Sequence, residues 1–232
     1  MSNVLVVAQS KVWNPELISS LRKSVDYEIV EIVEPEQLSF KLLSDLNPKF
    51  VFFPHWSSRI SHDIFENFEC VIFHMTDLPF GRGGSPLQNL IVRGFNETKI
   101  SAVKCVAELD AGPIYLKRSL TLDGTAQQIF VRAAGIIEEM IVEIIKNTPQ
   151  PTEQLGEVVV FKRRNPSESE MPSTKSVMEL YDFIRMLDAD GYPHAFVECG
   201  AFKIEFRNAS VLGSHLRADC FFIETNSVSR RT

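Results

Sequence analysis

The sequence lacks the marks of a nucleic-acid binder, a secreted disulfide scaffold or a membrane protein. Lysine and arginine total 24 against 30 acidic residues, a net charge of -6. Proteins that grip long nucleic acids concentrate basic residues on one face or in runs, so an RNA or DNA partner is not expected. The local basic cluster Lys162-Arg163-Arg164 reads as a solvated loop able to hold an anion, and Arg230-Arg231 as a tail. Only four cysteines occur, at 70, 105, 199 and 220. None forms a CxxC pair or lies at zinc-site spacing from a histidine, which leaves no metal site and suggests free thiols in a reducing compartment. No apolar run approaches the ~20 residues of a membrane span. No basic stretch precedes the strand-like Val4–Ala8, so neither a signal peptide nor membrane attachment is expected, and the location expected is cytoplasmic. Repeats and heptads are also missing, which argues against a scaffold role.

What is present is an ordinary globular composition, 44% hydrophobic over 232 residues. That is enough for one medium domain and a smaller one. Short apolar runs alternate with amphipathic stretches: Val4–Ala8, Pro15–Lys23, Tyr27–Val33, Glu36–Leu46, Phe50–Phe53, Ser61–Asn67 and Cys70–His74. This alternation predicts an α/β fold, a Rossmann-like, doubly wound and mostly parallel sheet. A helix from Pro86 to Arg93, strands at Ile100–Ala107 and Pro113–Leu120, and a long helix from Thr125 to Lys146 follow. Residues 1–150 are read as the main domain, and the Pro-, Ser- and Glu-rich 151–174 as a linker containing one strand, Val158–Phe161. Residues 175–232 are read as a small β-rich C-terminal subdomain. There Ser173 or Thr174 caps a helix to Leu187, and Ala195–Glu198, Phe202–Phe206 and Cys220–Glu224 form strands.

Ligands of open parallel sheets bind beyond the carboxyl ends of the strands. His74 ends one apolar run and Asp110 lies in the turn after another, so both side chains are expected to face one cleft, where a carboxylate would orient the imidazole for acid-base work. Gly81-Arg82-Gly83-Gly84-Ser85-Pro86 offers close backbone approach and free amides before a helix. It matches neither the GxGxxG dinucleotide fingerprint nor the P-loop.

The stretch His74-Met75-Thr76-Asp77-Leu78-Pro79-Phe80-Gly81-Arg82-Gly83-Gly84-Ser85-Pro86 resembles the HxSLLPxxRGxxP signature of 10-formyltetrahydrofolate-dependent formyltransferases, and Asp110-Ala111-Gly112 resembles that family's DAG turn. Asp190-Gly191-Tyr192-Pro193-His194-Ala195-Phe196 looks like the start of its C-terminal subdomain. Phe53-Pro54-His55-Trp56 and His74–Ile91 bring the chain near sugar-nucleotide N-formyltransferases of the pseudaminic acid type and the formylation domain of gramicidin synthetases.

The resemblance implies formyl transfer from 10-formyltetrahydrofolate to the primary amine of a small acceptor, a nucleotide-linked 4-amino sugar, with no nucleic acid involved and a homodimer possible. His74 would supply a donor to the oxyanion or relay a proton. Asp110 would accept the amine proton or keep His74 correctly protonated. Ser58, Arg59, Ile60, Val106, Leu109 and Asp110 would offer backbone to the pterin, and Arg82, Gly83 and Gly84 would line the site. One position departs from the family. Ile72 stands where an Asn normally precedes the His by two residues, so His74 with backbone amides, or His55, Gln88 or Asn89, would have to take over. Two other readings follow from the same residues: hydrolysis of formyltetrahydrofolate, and folate or nucleotide binding without catalysis.

Overall fold

A computed structural model of the chain describes residues 3–10, 13–174 and 176–225, so the Arg230-Arg231 tail lies outside the described residues. The chain divides into two compact units. The first comprises Met1–Pro86, Thr98–Leu120 and Phe130–Phe161, and the second Leu87–Glu97, Thr121–Ile129 and Lys162–Thr232.

In the first unit, strands and helices alternate as β1 (Val4–Ala8), α1 (Leu17–Ser24), β2 (Glu28–Ile32), α2 (Phe40–Leu46), β3 (Phe50–Phe53), α3 (His62–Asn67) and β4 (Cys70–His74). Along the chain then come β5 (Phe80–Gly83), α4 (Pro86–Ile91), which belongs to the second unit from Leu87 on, β6 (Glu97–Lys104), β7 (Ile114–Thr121), α5 (Ala126–Asn147), whose residues up to Ile129 belong to the second unit, and β8 (Val159–Phe161). Six of these strands form one sheet in the order β2-β1-β3-β4-β6-β7. The expected α/β, mostly parallel architecture is what forms. Leu5, Val6, Val7, Val51, Phe52, Phe53 and Val71 are all but inaccessible. Continuous burial of this kind is possible only where both faces of a sheet are covered. The order reverses between β1 and β3, the topological switch point of such folds.

Local chemistry trims the expected elements. The helix expected from Glu36 begins only at Phe40. Pro35 opens a separate short 3-10 turn, closed by Glu34 and Gln37, and the Ser39 hydroxyl then accepts the Leu42 amide at 3.2 Å to start α2. Asn47, at φ +46°, ends α2 in the left-handed conformation. Part of the glycine-rich stretch expected as loop is a short strand, because β5 pairs in parallel with β8, Gly83 opposite Phe161.

β6 runs antiparallel to β4, with Val71 opposite Lys104 and His74 opposite Ser101. This corrects the expected cleft geometry. The carboxyl end of β6 lies beside the start of β4, so the loop carrying Asp110 leaves from the end opposite His74 and reaches it only by folding back.

The second unit contains α6 (Val177–Arg185) and a three-stranded antiparallel sheet of β9 (Ala195–Cys199), β10 (Phe202–Leu212) and β11 (His215–Glu224), in the order β11-β10-β9. Ser176, rather than Ser173 or Thr174, caps α6, its hydroxyl accepting the Glu179 amide at 3.1 Å. Inside this unit the buried Arg185 guanidinium donates to the carbonyls of Leu122 (2.5 Å) and Gly124 (3.1 Å). The longer β10 has a bulge near Asn208, whose backbone N–H donates to the buried Asp188 carboxylate at 2.7 Å.

Candidate active site

His74 closes β4, and its side chain shares one face of the strand with Ile72, two residues earlier. The imidazole is buried, and both ring nitrogens have partners. Nε2 lies 2.7 Å from the Gly81 carbonyl. A carbonyl only accepts, so Nε2 carries a proton and donates it. Nδ1 faces Asp110 Oδ2 at 3.5 Å, and the same carboxylate oxygen accepts the Gly83 amide at 2.9 Å. The pair is thus held from two sides by residues flanking Arg82. Thr76 Oγ1 adds a second donor to Gly81 O at 3.3 Å, and Ser101 Oγ donates to Thr76 O at 2.7 Å, tying the turn after β4 to β6.

Tight backbone packing makes this possible. Gly81 sits at φ +79°, where a Cβ would strike the Phe161 ring and the Thr76 methyl, each at 2.7 Å. At Gly83 (φ +103°) it would lie 2.5 Å from the Phe161 carbonyl. Asp110 itself adopts φ +53°, unusual for a residue with a side chain. Gln154 lies against the same turn. Its Nε2 donates to the carbonyls of Asp110 (2.7 Å) and Gly112 (2.9 Å), and its Oε1 accepts from Arg82 Nε (3.1 Å) and Nη2 (2.9 Å). Gln154 was missed in the sequence, where a glutamine in a Pro- and Glu-rich stretch carries no local signal.

The residues expected around the pair divide by what they touch. The Gly83 amide goes to Asp110 and the Gly84 amide to the Phe161 carbonyl at 3.2 Å, so the amides expected to be free are engaged. The Arg82 guanidinium is held by Gln154 and by Glu108 at 3.0 Å. Ser58, Arg59 and Ile60 follow the carboxyl end of β3, with Arg59 exposed and Ile60 buried. Val106 and Leu109 lie on the Asp110 loop, and the Leu109 side chain is 68% exposed between Glu108 and Asp110. Cys105, which opens that loop, has its thiol pushed up to about 11 by burial and secondarily by the Asp110 carboxylate. It stays protonated near neutrality and does not compete as a nucleophile.

Ile72 packs with Leu78, Val103 and Ile114. An amide there would sit in apolar surroundings, so the absent Asn is matched by its environment. Of the stand-ins considered, Gln88 and Asn89 belong to the second unit, where they donate to the carbonyls of Met186 and Lys162, each at 3.1 Å.

His55 lies just past β3, edge-on to Trp13 and Phe130, and its Nε2 is enclosed with no hydrogen-bond partner among the described residues. Burial holds its pKa at about 4 against 6.5 for a free imidazole. The unfolded chain therefore takes up a proton on passing below pH 6.5, and the fold does so only near 4. Stability attributable to His55 is complete above pH 6.5 and is lost as the pH falls to 4, by on the order of 3 kcal/mol. Urea unfolding at pH 7 and pH 4 is expected to show a smaller drop for His55→Asn than for wild type. Equal drops would refute this.

Comparison with known proteins agrees with this architecture. Residues 166–223 match the family model described as the C-terminal domain of methionyl-tRNA formyltransferase. A solved structure named methionyl-tRNA formyltransferase from Clostridium thermocellum is similar at 46% identity and a TM-score of 0.92, over 95% of this chain and 99% of that one. A methionyl-tRNA formyltransferase of Mesoplasma florum is 24% identical over 200 residues, 82% of this chain and 63% of the relative. The chain spans less than two thirds of the length of the curated relatives it matches, and only 26% of the one from Methylococcus capsulatus. A Mycobacterium tuberculosis structure titled a likely sugar N-formyltransferase shares the fold, with a TM-score of 0.72 at 16% identity over 90% of this chain and 97% of that one. The extent and identity of the Clostridium match, together with the two motifs meeting at one buried pair, make this chain a member of the formyltransferase family.

Proposed function

We propose that this protein transfers a formyl group from 10-formyltetrahydrofolate to a primary amine, with His74 and Asp110 as the catalytic pair. The observation that carries the reading is the buried His74–Asp110 contact, anchored by Gly81 O and Gly83 N. A neutral amine attacks the formyl carbon and the carbonyl oxygen becomes an oxyanion. The bond from that carbon to the folate nitrogen then breaks, and the proton lost by the amine ends on that nitrogen. His74 Nε2–H is the donor suited to the oxyanion, a class of interaction worth about 10²–10³-fold in rate. It can serve only by leaving Gly81 O, so the oxyanion competes with a carbonyl for one proton. Asp110, against Nδ1, keeps the ring protonated while this happens, or takes the amine proton itself. The formyl donor fits the backbone of Ser58–Ile60 and the Val106–Asp110 loop, where exposed Leu109 offers apolar cover for a flat ring.

For the acceptor, the acidic balance of the chain favours a small molecule, and we read it as a nucleotide-linked 4-amino sugar. The 46%-identical relative named for methionyl-tRNA favours the second reading, an aminoacyl-tRNA. The test supplies 10-formyltetrahydrofolate with a panel of nucleotide-linked 4-amino sugars and, separately, with methionyl-tRNA, and follows formylated product by mass. Product from either class supports transfer and identifies the acceptor. Formate release without any amine would favour hydrolysis. Folate binding with no transfer would favour a binding module.

A further inference from the structure

We infer that Gln154 is a positioning residue of the His74–Asp110 pair, an inference that rests on the formyl-transfer reading for its kinetic consequences but not for its spectroscopic ones. A glutamine amide has two hydrogens and two acceptor positions, and Gln154 uses all four on this one site. Its acceptor side holds Arg82. The two neighbours of Arg82 in sequence are the residues that hold the pair, since Gly81 O receives His74 Nε2 and Gly83 N binds Asp110 Oδ2. Its donor side holds the carbonyls of Asp110 and Gly112, the ends of the turn that carries the carboxylate. A single amide therefore links the anchors of the imidazole to the backbone of its partner.

The turn needs such a restraint. Left-handed backbone at a residue with a Cβ costs about 1–2 kcal/mol, and Asp110 adopts it at φ +53°. Fixing the Asp110 carbonyl fixes the backbone at this residue and so the Cα–Cβ bond from which the carboxylate reaches Gly83 N and His74 Nδ1. Gln154 is itself held in place, because Thr152, two residues earlier, exchanges both backbone hydrogen bonds with Ile114 at the start of β7 (2.7 and 2.9 Å).

Gln154→Glu separates the two sides of the amide. A carboxylate still accepts from Arg82 but cannot donate, and it places an oxygen against two carbonyl oxygens. Gln154→Ala removes both sides. The proposal expects kcat to fall about 10- to 100-fold in both variants, as misplacement of catalytic groups by up to about 1 Å does, with KM for the formyl donor within about threefold. The ring 15N resonances of His74, assigned by their absence in His74→Ala, are expected to move in both variants of the substrate-free protein. A purely structural role predicts a lower melting temperature with unchanged kcat per folded enzyme and unmoved His74 resonances, and that result would overturn the proposal. Wild-type kcat retained in Gln154→Glu would overturn it as well. If the wild type transfers no formyl group to any amine, the formyl-transfer reading fails and the 15N resonances alone decide the role of Gln154.

Discussion

His74→Ala is expected to lower formyl transfer by about 10²–10⁴-fold, the range for removing a positioned acid-base group. The side chain is buried, and its removal leaves, among the described residues, Asp110 Oδ2 with the Gly83 amide and Gly81 O with Thr76. The cost of those unmet groups is about 1–3 kcal/mol, small enough for the variant to fold. Its activity can therefore be read per folded molecule. Asp110→Ala should show a loss of similar size, and the double variant distinguishes a working pair from two separate contributors. Groups that act as a unit are strongly non-additive, so the double variant should be little worse than the worse single one. If the two losses multiply instead, the 3.5 Å contact between Nδ1 and Oδ2 is not a functional coupling. Near wild-type activity in both single variants would remove the catalytic assignment altogether.

The second large effect is expected at Gly112, which has no chemistry of its own. A Cβ on this residue would lie 1.9 Å from the Lys104 carbonyl oxygen, and Lys104 N donates to Pro113 O at 2.8 Å across the base of the loop. The two nearest obstructing atoms, at 1.9 and 3.0 Å, are Lys104 backbone, which no side-chain rotation can clear. Gly112→Ala must open the β6–β7 hairpin where the Asp110 turn departs, with an expected destabilisation of at least about 3 kcal/mol, in the range tied to a specific steric or strain mechanism. Gly135 is the control. It lies exposed within α5, and a Cβ there meets nothing within 4 Å. Gly135→Ala should stabilise the protein by about 0.5–1 kcal/mol through helix propensity alone. Urea midpoints shifting in opposite directions are the expected result. A Gly112→Ala protein as stable as wild type would show that the loop base is not built as described.

Most strands were readable from apolar runs because continuous burial leaves little ambiguity. Val4–Ala8, Phe50–Phe53 and Cys70–His74 form with the expected boundaries. Misplaced boundaries arose where a polar side chain chose among neighbouring positions. Ser39 and Ser176 cap α2 and α6 because their hydroxyls meet the amides three residues on, which apolar periodicity does not report. β5 reads as loop in the sequence because a strand rich in glycine carries no pattern, and its partner β8 is nearly 80 residues away in sequence.

The residue types at the candidate site, a histidine ending a buried strand and an aspartate in a glycine-containing turn, are local facts that sequence alone determined, as were the α/β class and its mostly parallel sheet. The antiparallel direction of β6, the fold-back of the loop, the occupation of the Gly83 and Gly84 amides and the four bonds of Gln154 were decided only by tertiary structure. Each of these joins segments separated by about 30 to 80 positions, and which donor meets which acceptor across such distances depends on chain packing that no local window of residues encodes.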